Sequence, residues 1–274
     1  MLGGPPFPTS IDELDTATLS GALDAPVTDF GATQIGADRG MLGEIFLLDL
    51  TYEADAVGPD QIVAKFAALR EGSLASARRG RAHERELRFF DELLPQTPVS
   101  APAYHGAWYD PGTAHFLLLQ SAVPNDADVD QIAGLGIADA RLVLRELARL
   151  HARWWRDPVL DDLDLLPRLD GAGRVHNLTT LATNGWGPLC SMLGDELSPG
   201  EGALGTEFPA RLEAALRMLA SLPGTLIHSD MRADNLLFAP DHTKVTLIDW
   251  QGCGIGPPAF DIAYFLAQSL TVET

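Results

Sequence analysis

Apolar positions follow different patterns in the two halves of the chain. Turn-forming residues separate short apolar runs of strand length at residues 44–52, 61–66, 104–109 and 115–121. Helical periodicity dominates residues 138–222, with an irregular stretch at 157–205. This order of strands followed by helices predicts an α+β protein.

The break between the two patterns comes after the fourth apolar run, where Pro, Asn and Asp residues interrupt regular structure. We therefore predict two lobes, residues 1–121 and 122–274, with a crevice between them. The backbone from Gln120 to Ala122 would border that crevice, where an adenine ring could take main-chain hydrogen bonds. Residues 1–30 carry a weak helical pattern and no candidate chemistry.

Polar residues with a chemically meaningful spacing are concentrated in residues 226–250. His228, Asp230 and Asn235 form H-x-D-x-x-x-x-N, and Asp249 follows a short apolar run. Phosphoryl transfer from ATP uses such a set, because one carboxylate accepts the proton of the attacking hydroxyl while an Asn and a second Asp hold Mg²⁺. The spacing makes Asp230 the candidate base, with Asn235 and Asp249 as candidate metal ligands.

Local structure supports this interpretation. Apolar runs at 236–238 and 245–248 are joined by Ala-Pro-Asp-His, which has the chemistry of a turn. The hairpin that results places Asn235 at the start of one strand and Asp249 at the end of the other, so that both can reach one ion. The alternative is that these acids are solvated loop residues in an Asp-rich chain.

The N-terminal half contains a candidate phosphate-binding turn and a lysine. Gly36, Gly40 and Gly43 precede an apolar strand without matching a nucleotide-binding glycine motif. Such a turn can lie over phosphates because glycine permits close backbone approach, although an ordinary turn has the same composition. Lys65 follows one β-turn-β unit later, inside the run at 61–66. The alternative interpretation is that Lys65 lies on an edge strand and points to water.

Residues 81–94 are predicted to form a helix that ends before Pro95. Glu86, Phe90 and Leu93 lie on one stripe of that helix, so the carboxylate faces the protein and needs a partner. Lys65 is the expected partner, and an exposed Glu paired with a helix arginine is the alternative.

Two further polar residues have structural explanations. His151 and the tryptophans that follow it belong to the apolar face of a helix, so a core position is favoured over a functional one. Asp261 begins a helix predicted over residues 261–270, after a flexible loop at 252–258, and either caps that helix or supports the catalytic loop from below.

Composition limits the classes of function. A chain of 274 residues with 46% apolar residues can bury a large core. The net charge of −19 argues against a nucleic-acid binder. An acidic surface would attract cationic small molecules, and the alternative is that the charge serves solubility in general. Two cysteines without metal-site spacing, no N-terminal signal pattern and no apolar run of membrane-spanning length predict a soluble cytoplasmic protein without a membrane partner.

Five segments appear in a characteristic order: IVAKF, HERELRFFDELLP, LARLHARWW, LIHSDMRADNLLF and LIDWQGCGIGPPAFDIAYFL. In this ordered set the chain resembles the aminoglycoside/choline-kinase-like phosphotransferases of the protein-kinase-like fold. The chain has Asp-Trp-Gln where protein kinases have Asp-Phe-Gly. In this feature it resembles the branch that includes ecdysteroid-kinase-like proteins. The resemblance extends from about residue 36 to the end.

The resemblance implies a small β-rich N-lobe, a larger helical C-lobe, and the cofactors ATP and Mg²⁺. It implies catalysis by Asp230 and metal binding by Asn235 and Asp249. It also implies a set of nucleotide-binding residues: Gly40, Gly43, Lys65, Glu86, Gln120 and Ala122.

Three features depart from the family pattern. Ser229 replaces a common glycine, and Gln120-Ser121 stands where relatives often have Glu-Asp. Relatives also usually continue with further helices that wall the acceptor pocket. The expectation is therefore either a shortened natural form, or an acceptor site that is open, completed by a partner subunit in a homodimer, or incomplete.

The leading hypothesis is a phosphotransferase that acts on a hydroxyl of a small molecule, such as an aminoglycoside, a choline-like amino alcohol or a sterol-like alcohol. The alternative is a nucleotide-binding pseudokinase or scaffold with an incomplete acceptor site. A protein kinase is disfavoured because no A-P-E segment follows Asp249.

Overall fold

The structure is a computed structural model that describes residues 4, 6–36, 43–69, 72–125 and 131–271. Its N-terminal part is built around a five-stranded antiparallel sheet in the order β1-β2-β3-β5-β4. The strands are β1 (Val27–Ile35), β2 (Gly43–Tyr52), β3 (Gln61–Ala67), β4 (Tyr104–Tyr109) and β5 (Phe116–Ser121). The four apolar runs of the sequence correspond to β2 through β5.

Strand β3 lies in the middle of the sheet, between β2 and β5. Its side chains alternate between two faces, as the period of a strand requires. Ile62, Ala64 and Phe66 pack into one apolar cluster, while Ala67 joins the larger core on the opposite face. Lys65 shares that opposite face by its register, so the edge-strand alternative for this lysine is wrong.

Residues before the glycine-rich turn contribute more structure than the sequence indicates. The weak helical pattern corresponds to a 3₁₀ turn at Ile11–Glu13 and to helix α1 (Thr16–Leu23), which the Asp15 carboxylate caps at the Thr18 amide over 2.8 Å. Strand β1 was not predicted. It is an edge strand with mostly exposed residues, and its apolar positions do not alternate regularly, so it carries a weak strand signal.

The helix predicted over 81–94 is only partly regular. Helix α2 (Ser73–Gly80) ends at Arg81, whose φ is 50°, and α3 (Ala82–Arg88) follows. A π-helical turn at Phe89–Leu93 and a 3₁₀ turn at Leu94–Gln96 complete the segment. The wider π-helical turn directs the side chains of both Phe89 and Phe90 into the core, where each is almost fully buried.

The C-terminal part is mainly helical. Its helices are α4 (Ile137–Arg153), α5 (Ala172–Leu193), α6 (Pro199–Ala220) and α7 (Pro258–Ser269). The stretch expected to be irregular, 157–205, contains all of α5 and the beginning of α6. Internal Gly and Pro residues hide α5 and the first part of α6 in the sequence, although Ser198 and Glu201 form a capping box at the start of α6. The remainder of α6 falls within the helical region predicted to end at residue 222.

Two short antiparallel ribbons carry the polar motif. Strand β6 (Thr225–Ile227) pairs with β9 (Gly254–Gly256), and β7 (Leu236–Phe238) pairs with β8 (Val245–Leu247) in the predicted hairpin. The flexible loop expected at 252–258 therefore contains a strand. Its glycines are required by packing, because a Cβ atom on Gly254 would lie 2.5 Å from the Pro167 carbonyl oxygen.

One apolar core connects the sheet with the helices. Trp154 is fully buried and donates from Nε1 to the Thr97 hydroxyl over 3.0 Å. Trp155, expected on the same apolar face, is instead 49% exposed, because α4 ends at Arg153 and the chain turns there. None of the helices in the described ranges combines the length and apolar character that a membrane span requires.

Candidate active site

The loop that carries Asp230 begins where β6 ends. His228 is buried, and its Nε2 lies 3.0 Å from the Ile248 carbonyl oxygen on the neighbouring hairpin. The His228 ring also packs at 4.6 Å against the ring of Trp250. These contacts fix the start of the loop against the segment that carries Asp249.

Asp261 supports this loop from α7. Its Oδ2 accepts the His228 amide over 2.9 Å, and its Oδ1 accepts the Ser229 amide over 2.8 Å. The buried ring of His151 lies 3.0 Å from the same Oδ2. Of the two roles expected for Asp261, support of the loop is the one present. His151 is a core residue with a polar partner.

Ser229 adopts a left-handed conformation, with φ of 71°. A residue with a Cβ atom is strained there, whereas glycine is not. The hydroxyl Oγ of Ser229 is buried without a hydrogen-bond partner among the described residues. The two amide bonds to Asp261 hold the backbone in this conformation.

The carboxylate of Asp230 is held on both oxygens. Asn235 donates from Nδ2 to Oδ2 over 2.9 Å, and the Tyr264 hydroxyl donates to Oδ1 over 3.0 Å. Arg232 Nε lies 3.5 Å from Oδ2. Burial, and then the charge of Asp230, raise the pKa of Tyr264 to about 12, so the phenol stays protonated as the donor. Sequence reasoning missed Tyr264, because nothing in the pattern relates it to Asp230.

Asn235 is oriented by the same contacts. Its Nδ2 also donates to the Asp230 carbonyl oxygen over 2.8 Å, which leaves the amide oxygen Oδ1 directed elsewhere. The Asn235 carbonyl oxygen accepts the Ile248 amide over 3.1 Å, next to Asp249 in sequence. The hairpin thus makes Asn235 and Asp249 neighbours, as the sequence predicts.

Asp249 is in contact with Lys65, although 184 residues separate the two in sequence. Lys65 Nζ lies 2.9 Å from Asp249 Oδ1, and Gln251 donates from Nε2 to Oδ2 over 3.0 Å. The φ of Asp249 is 65°. The carbonyl oxygen of the Gln251 side chain is buried without a partner among the described residues.

Lys65 also contacts Glu86, the partner expected from the helix stripe. Its Nζ lies 2.8 Å from each carboxylate oxygen of Glu86, and both side chains are buried. Burial alone lowers the pKa of Lys65, but the charges of Asp249 and Glu86 outweigh it and raise that pKa above its usual range. Lys65 is therefore a permanent cation between two acids.

The two acids respond differently to this cation. Burial raises the pKa of Glu86, and the Lys65 charge only partly offsets it. Burial acts in the same direction on Asp249, but Lys65 together with His228 and Arg232 brings the pKa of Asp249 below its ordinary value. Asp249 is consequently the more strongly ionised acid of the two.

Helix α3 is fixed to the segment that carries Asp249. The rings of Phe89 and Trp250 stack with centroids 3.8 Å apart. Arg85 donates from Nη1 to the Gln251 carbonyl oxygen over 2.6 Å and from Nε to the Leu165 carbonyl oxygen over 3.0 Å. These contacts hold Glu86 close enough to share Lys65 with Asp249.

The predicted nucleotide-binding turn is only partly described. Gly40 lies outside the described residues. Gly43 is the first residue of β2, and a Cβ atom there would lie 3.2 Å from Lys65 Cε, so glycine leaves space for the lysine stem. Gln120 and Ala122 lie at the end of β5 and just beyond it, and both are half-buried.

The polar residues of the hairpin fit a magnesium ion that is shared with phosphates. Among the described residues, no group of three or more His, Cys, Asp and Glu side chains is arranged to hold a metal ion alone. Mg²⁺ bound with nucleotides needs only one or two protein oxygens besides phosphates and water. The Asn235 amide oxygen, the Asp249 carboxylate and the orphaned Gln251 oxygen are hard ligands of this kind.

Comparison with known proteins gives a family and a fold. The sequence model of the phosphotransferase enzyme family matches residues 49–273. The GDP and kanamycin complex of APH(2")-IIia has a similar structure, with a TM-score of 0.56 and 16% identity over 94% of this chain and 78% of that chain. A comparison with curated proteins gave no significant match.

Two further solved structures share this fold. The GDP complex of wild-type aminoglycoside 2'-phosphotransferase-IIIa has a TM-score of 0.55 and 14% identity over 88% of this chain and 73% of that chain. APH(3'')-Id from Streptomyces rimosus has a TM-score of 0.51 and 17% identity over 92% of this chain and 82% of that chain. The predicted two-lobed, kinase-like α+β fold is therefore confirmed. The boundary at residues 121–122 and the ecdysteroid-kinase-like branch stay predictions.

Proposed function

Because this chain belongs to the phosphotransferase enzyme family, we propose that it transfers the γ-phosphoryl group of ATP to a hydroxyl of a small molecule. One observation carries the proposal. Lys65 joins Glu86 and Asp249 within 2.9 Å, and the hairpin places Asp249 beside Asn235, which is bonded to Asp230. Residues far apart in sequence thereby form one connected polar site.

Asp230 is the proposed base. As the acceptor oxygen attacks the γ-phosphorus, its proton moves to the Asp230 carboxylate, and ADP leaves. The bond to Asn235 and the contact with Tyr264 keep this carboxylate oriented. Arg232, 3.5 Å from the carboxylate, supplies positive charge close to the place where the transferred group gains negative charge.

Lys65 is the proposed ligand of the α- and β-phosphates. Its ammonium group contacts both Glu86 and Asp249, and nucleotide binding would exchange the Asp249 carboxylate for phosphate oxygens while Glu86 keeps its contact. The turn at Gly40 and Gly43 would cover the phosphates. The adenine ring would bind along the backbone between Gln120 and Ala122.

Asn235 and Asp249 are the proposed Mg²⁺ ligands. When bound, the ion neutralises charge that develops on the phosphates. Once Lys65 releases it, the Asp249 carboxylate is available, and the bound ion would supply the positive charge that Lys65 supplies in its present contact. The Asn235 amide can donate to Asp230 and offer its oxygen to the ion at once.

The acceptor is proposed to be an aminoglycoside-, choline- or sterol-like alcohol. The net charge of −19 favours cationic compounds in the encounter step. A structural neighbour was solved with kanamycin, which makes aminoglycosides the first compounds to test.

The experiment is mass-spectrometric detection of phosphorylated acceptors with Mg²⁺-ATP and a panel of these alcohols. Asp230→Asn should abolish the product, because general-base catalysis contributes about 100- to 10,000-fold. Asp241→Asn, an exposed acid in the turn of the same hairpin, is the matched control. Tight ATP binding without any phosphorylated acceptor would refute the transferase and favour a nucleotide-binding scaffold.

A further inference from the structure

Helix α7 presents two polar side chains to the loop that carries Asp230. Asp261 and Tyr264 are three residues apart, so they project from the same face of the helix. Asp261 binds the amides of His228 and Ser229, and Tyr264 reaches the carboxylate that follows them. One helix therefore sets both the path of the loop and the environment of its acid.

We propose that Tyr264 positions the Asp230 carboxylate for catalysis and forms the surface against which the reacting hydroxyl of the acceptor binds. This inference rests on the proposed phosphotransferase function and deepens it. It assigns to α7 a contact with the substrate.

The positioning role follows from the contacts of the carboxylate. Tyr264 donates to Oδ1 and Asn235 donates to Oδ2, so rotation of the carboxylate about its Cβ–Cγ bond would break both hydrogen bonds. Each carboxylate oxygen accepts more than one hydrogen bond, and capacity for the acceptor hydroxyl remains. The phenol thus orients the Asp230 carboxylate and leaves it able to accept a hydrogen bond from the acceptor hydroxyl.

A purely structural phenol has a different kind of partner. Tyr52 shows this case, since its hydroxyl donates to the Pro59 carbonyl oxygen over 2.9 Å at the periphery of the sheet. The Tyr264 hydroxyl instead donates to a carboxylate, and hydrogen bonds to charged groups are stronger than those to neutral groups. Tyr→Phe substitution at positions 264 and 52 therefore removes the same hydroxyl group, once from a carboxylate partner and once from a neutral carbonyl partner.

The contact with the acceptor follows from distance. A hydroxyl that bonds to Asp230 Oδ1 at about 3 Å lies within roughly 6 Å of the Tyr264 oxygen, so the phenol ring borders the space that the acceptor occupies. The Phe260 ring, one turn earlier, lies 6.5 Å from the Tyr264 ring and continues this aromatic surface.

The far end of the aromatic surface is cationic. The Arg174 guanidinium lies 5.5 Å from the Phe260 ring, and its Nε is buried without a hydrogen-bond partner among the described residues. Aromatic rings beside a guanidinium favour an acceptor with an apolar or ring face next to its hydroxyl and without a positive charge there. A sterol-like or aryl alcohol therefore fits this surface better than a small quaternary amine, although net charge favours cations at long range.

The first test compares Tyr264→Phe with Tyr52→Phe in steady-state transfer to the best acceptor. We expect Tyr264→Phe to lower kcat about 10- to 100-fold, as for loss of a hydrogen bond to a charged group. The KM for ATP should stay unchanged, because the Tyr264 hydroxyl contacts the Asp230 carboxylate and none of the proposed nucleotide ligands. The KM for the acceptor should change, whereas Tyr52→Phe should alter none of these quantities.

An unchanged kcat and an unchanged KM for the acceptor in Tyr264→Phe would overturn the inference while leaving the transferase intact. So would a fall in thermal stability together with a parallel loss of ATP binding, because that result would mean a structural role. Failure of every acceptor with the unmodified protein would instead contradict the proposed function.

A second measurement does not depend on turnover. The phenol titration of Tyr264, followed by NMR of a ¹³C-labelled tyrosine ring, should move to lower pH in Asp230→Asn, because the carboxylate charge helps to raise its pKa to about 12. Titration at the same pH in both proteins would show that the contact does not form in solution, and the inference would fail.

Discussion

Lys65 determines the electrostatics of the candidate site at the scale of single residues. It is the only buried cation within 3 Å of both Glu86 and Asp249 among the described residues. Two carboxylates at this burial are tolerated because the ammonium group lies between them. The ion-pair cluster is costly to assemble and costly to break.

Replacement of Lys65 by Met should destabilise the fold by about 3–5 kcal/mol, because the buried Glu86 and the half-buried Asp249 lose their partner. The pKa of Glu86 already lies above its ordinary value through burial, and loss of Lys65 raises it further. A raised pKa favours the protonated folded state, so the lost stability should return partly as pH falls through the folded pKa.

Urea unfolding at neutral and mildly acidic pH measures this effect. Lys244→Met is the matched control, since Lys244 is the other lysine of the chain and is exposed. Equal loss of stability at both pH values would show that the acids do not respond to the missing charge.

Substitution of Ser229 is expected to raise the stability of the protein, whereas substitution of Lys65 lowers it. Ser229→Gly should stabilise the protein by about 1 kcal/mol, because glycine tolerates a φ of 71° and the buried hydroxyl without a partner is removed. Ser229→Ala removes the hydroxyl but keeps the strain, so its stability should be intermediate. Denaturant midpoints at a constant m-value give this ranking, and a destabilised Ser229→Gly would contradict it.

Helix α7 is the element that organises the candidate base. Asp261→Ala would leave the amides of His228 and Ser229 without their acceptor in a buried site, at about 1–3 kcal/mol for each. We expect these two amides to lose most of their protection in hydrogen exchange, while amides in β3 keep theirs.

Asp162→Ala, an exposed acid in a 3₁₀ turn, is the control for this prediction. Unchanged protection of His228 and Ser229 in Asp261→Ala would show that the loop holds its conformation without support from α7.

Prediction from sequence succeeded for elements with a strong pattern. Strands β3 and β5 are apolar runs, and the hairpin of β7 and β8 has a recognisable turn, so all three were predicted. Strand β1 and helix α5 were not, because β1 is almost wholly exposed and α5 buries no residue completely. Elements that bury little leave little periodicity in a sequence.

Charge dominates the behaviour of the whole molecule. The chain has 38 acidic residues and 19 basic residues, which leaves an excess of 19 negative charges. The unpaired acids repel one another in the compact state. Salt screens this repulsion over a Debye length of about 8 Å at 0.15 M.

Thermal stability should therefore rise when sodium chloride is added up to about 0.15 M. A Tm series at constant pH measures the effect, and equal osmotic strength from sucrose controls for general solute effects. A Tm that falls with salt would mean that surface ion pairs such as Arg88–Glu92 outweigh the repulsion.

The sequence by itself determined the fold class, the strand that carries Lys65, the stripe that directs Glu86 inward and the hairpin that pairs Asn235 with Asp249. These features depend on neighbours a few residues apart, and periodicity or turn chemistry records them. Only the tertiary structure decided that Lys65 contacts Asp249, that Tyr264 contacts Asp230 and that Asp261 supports the loop. Those contacts arise where separate elements pack together, and the distance between packed elements has no local signature in the chain.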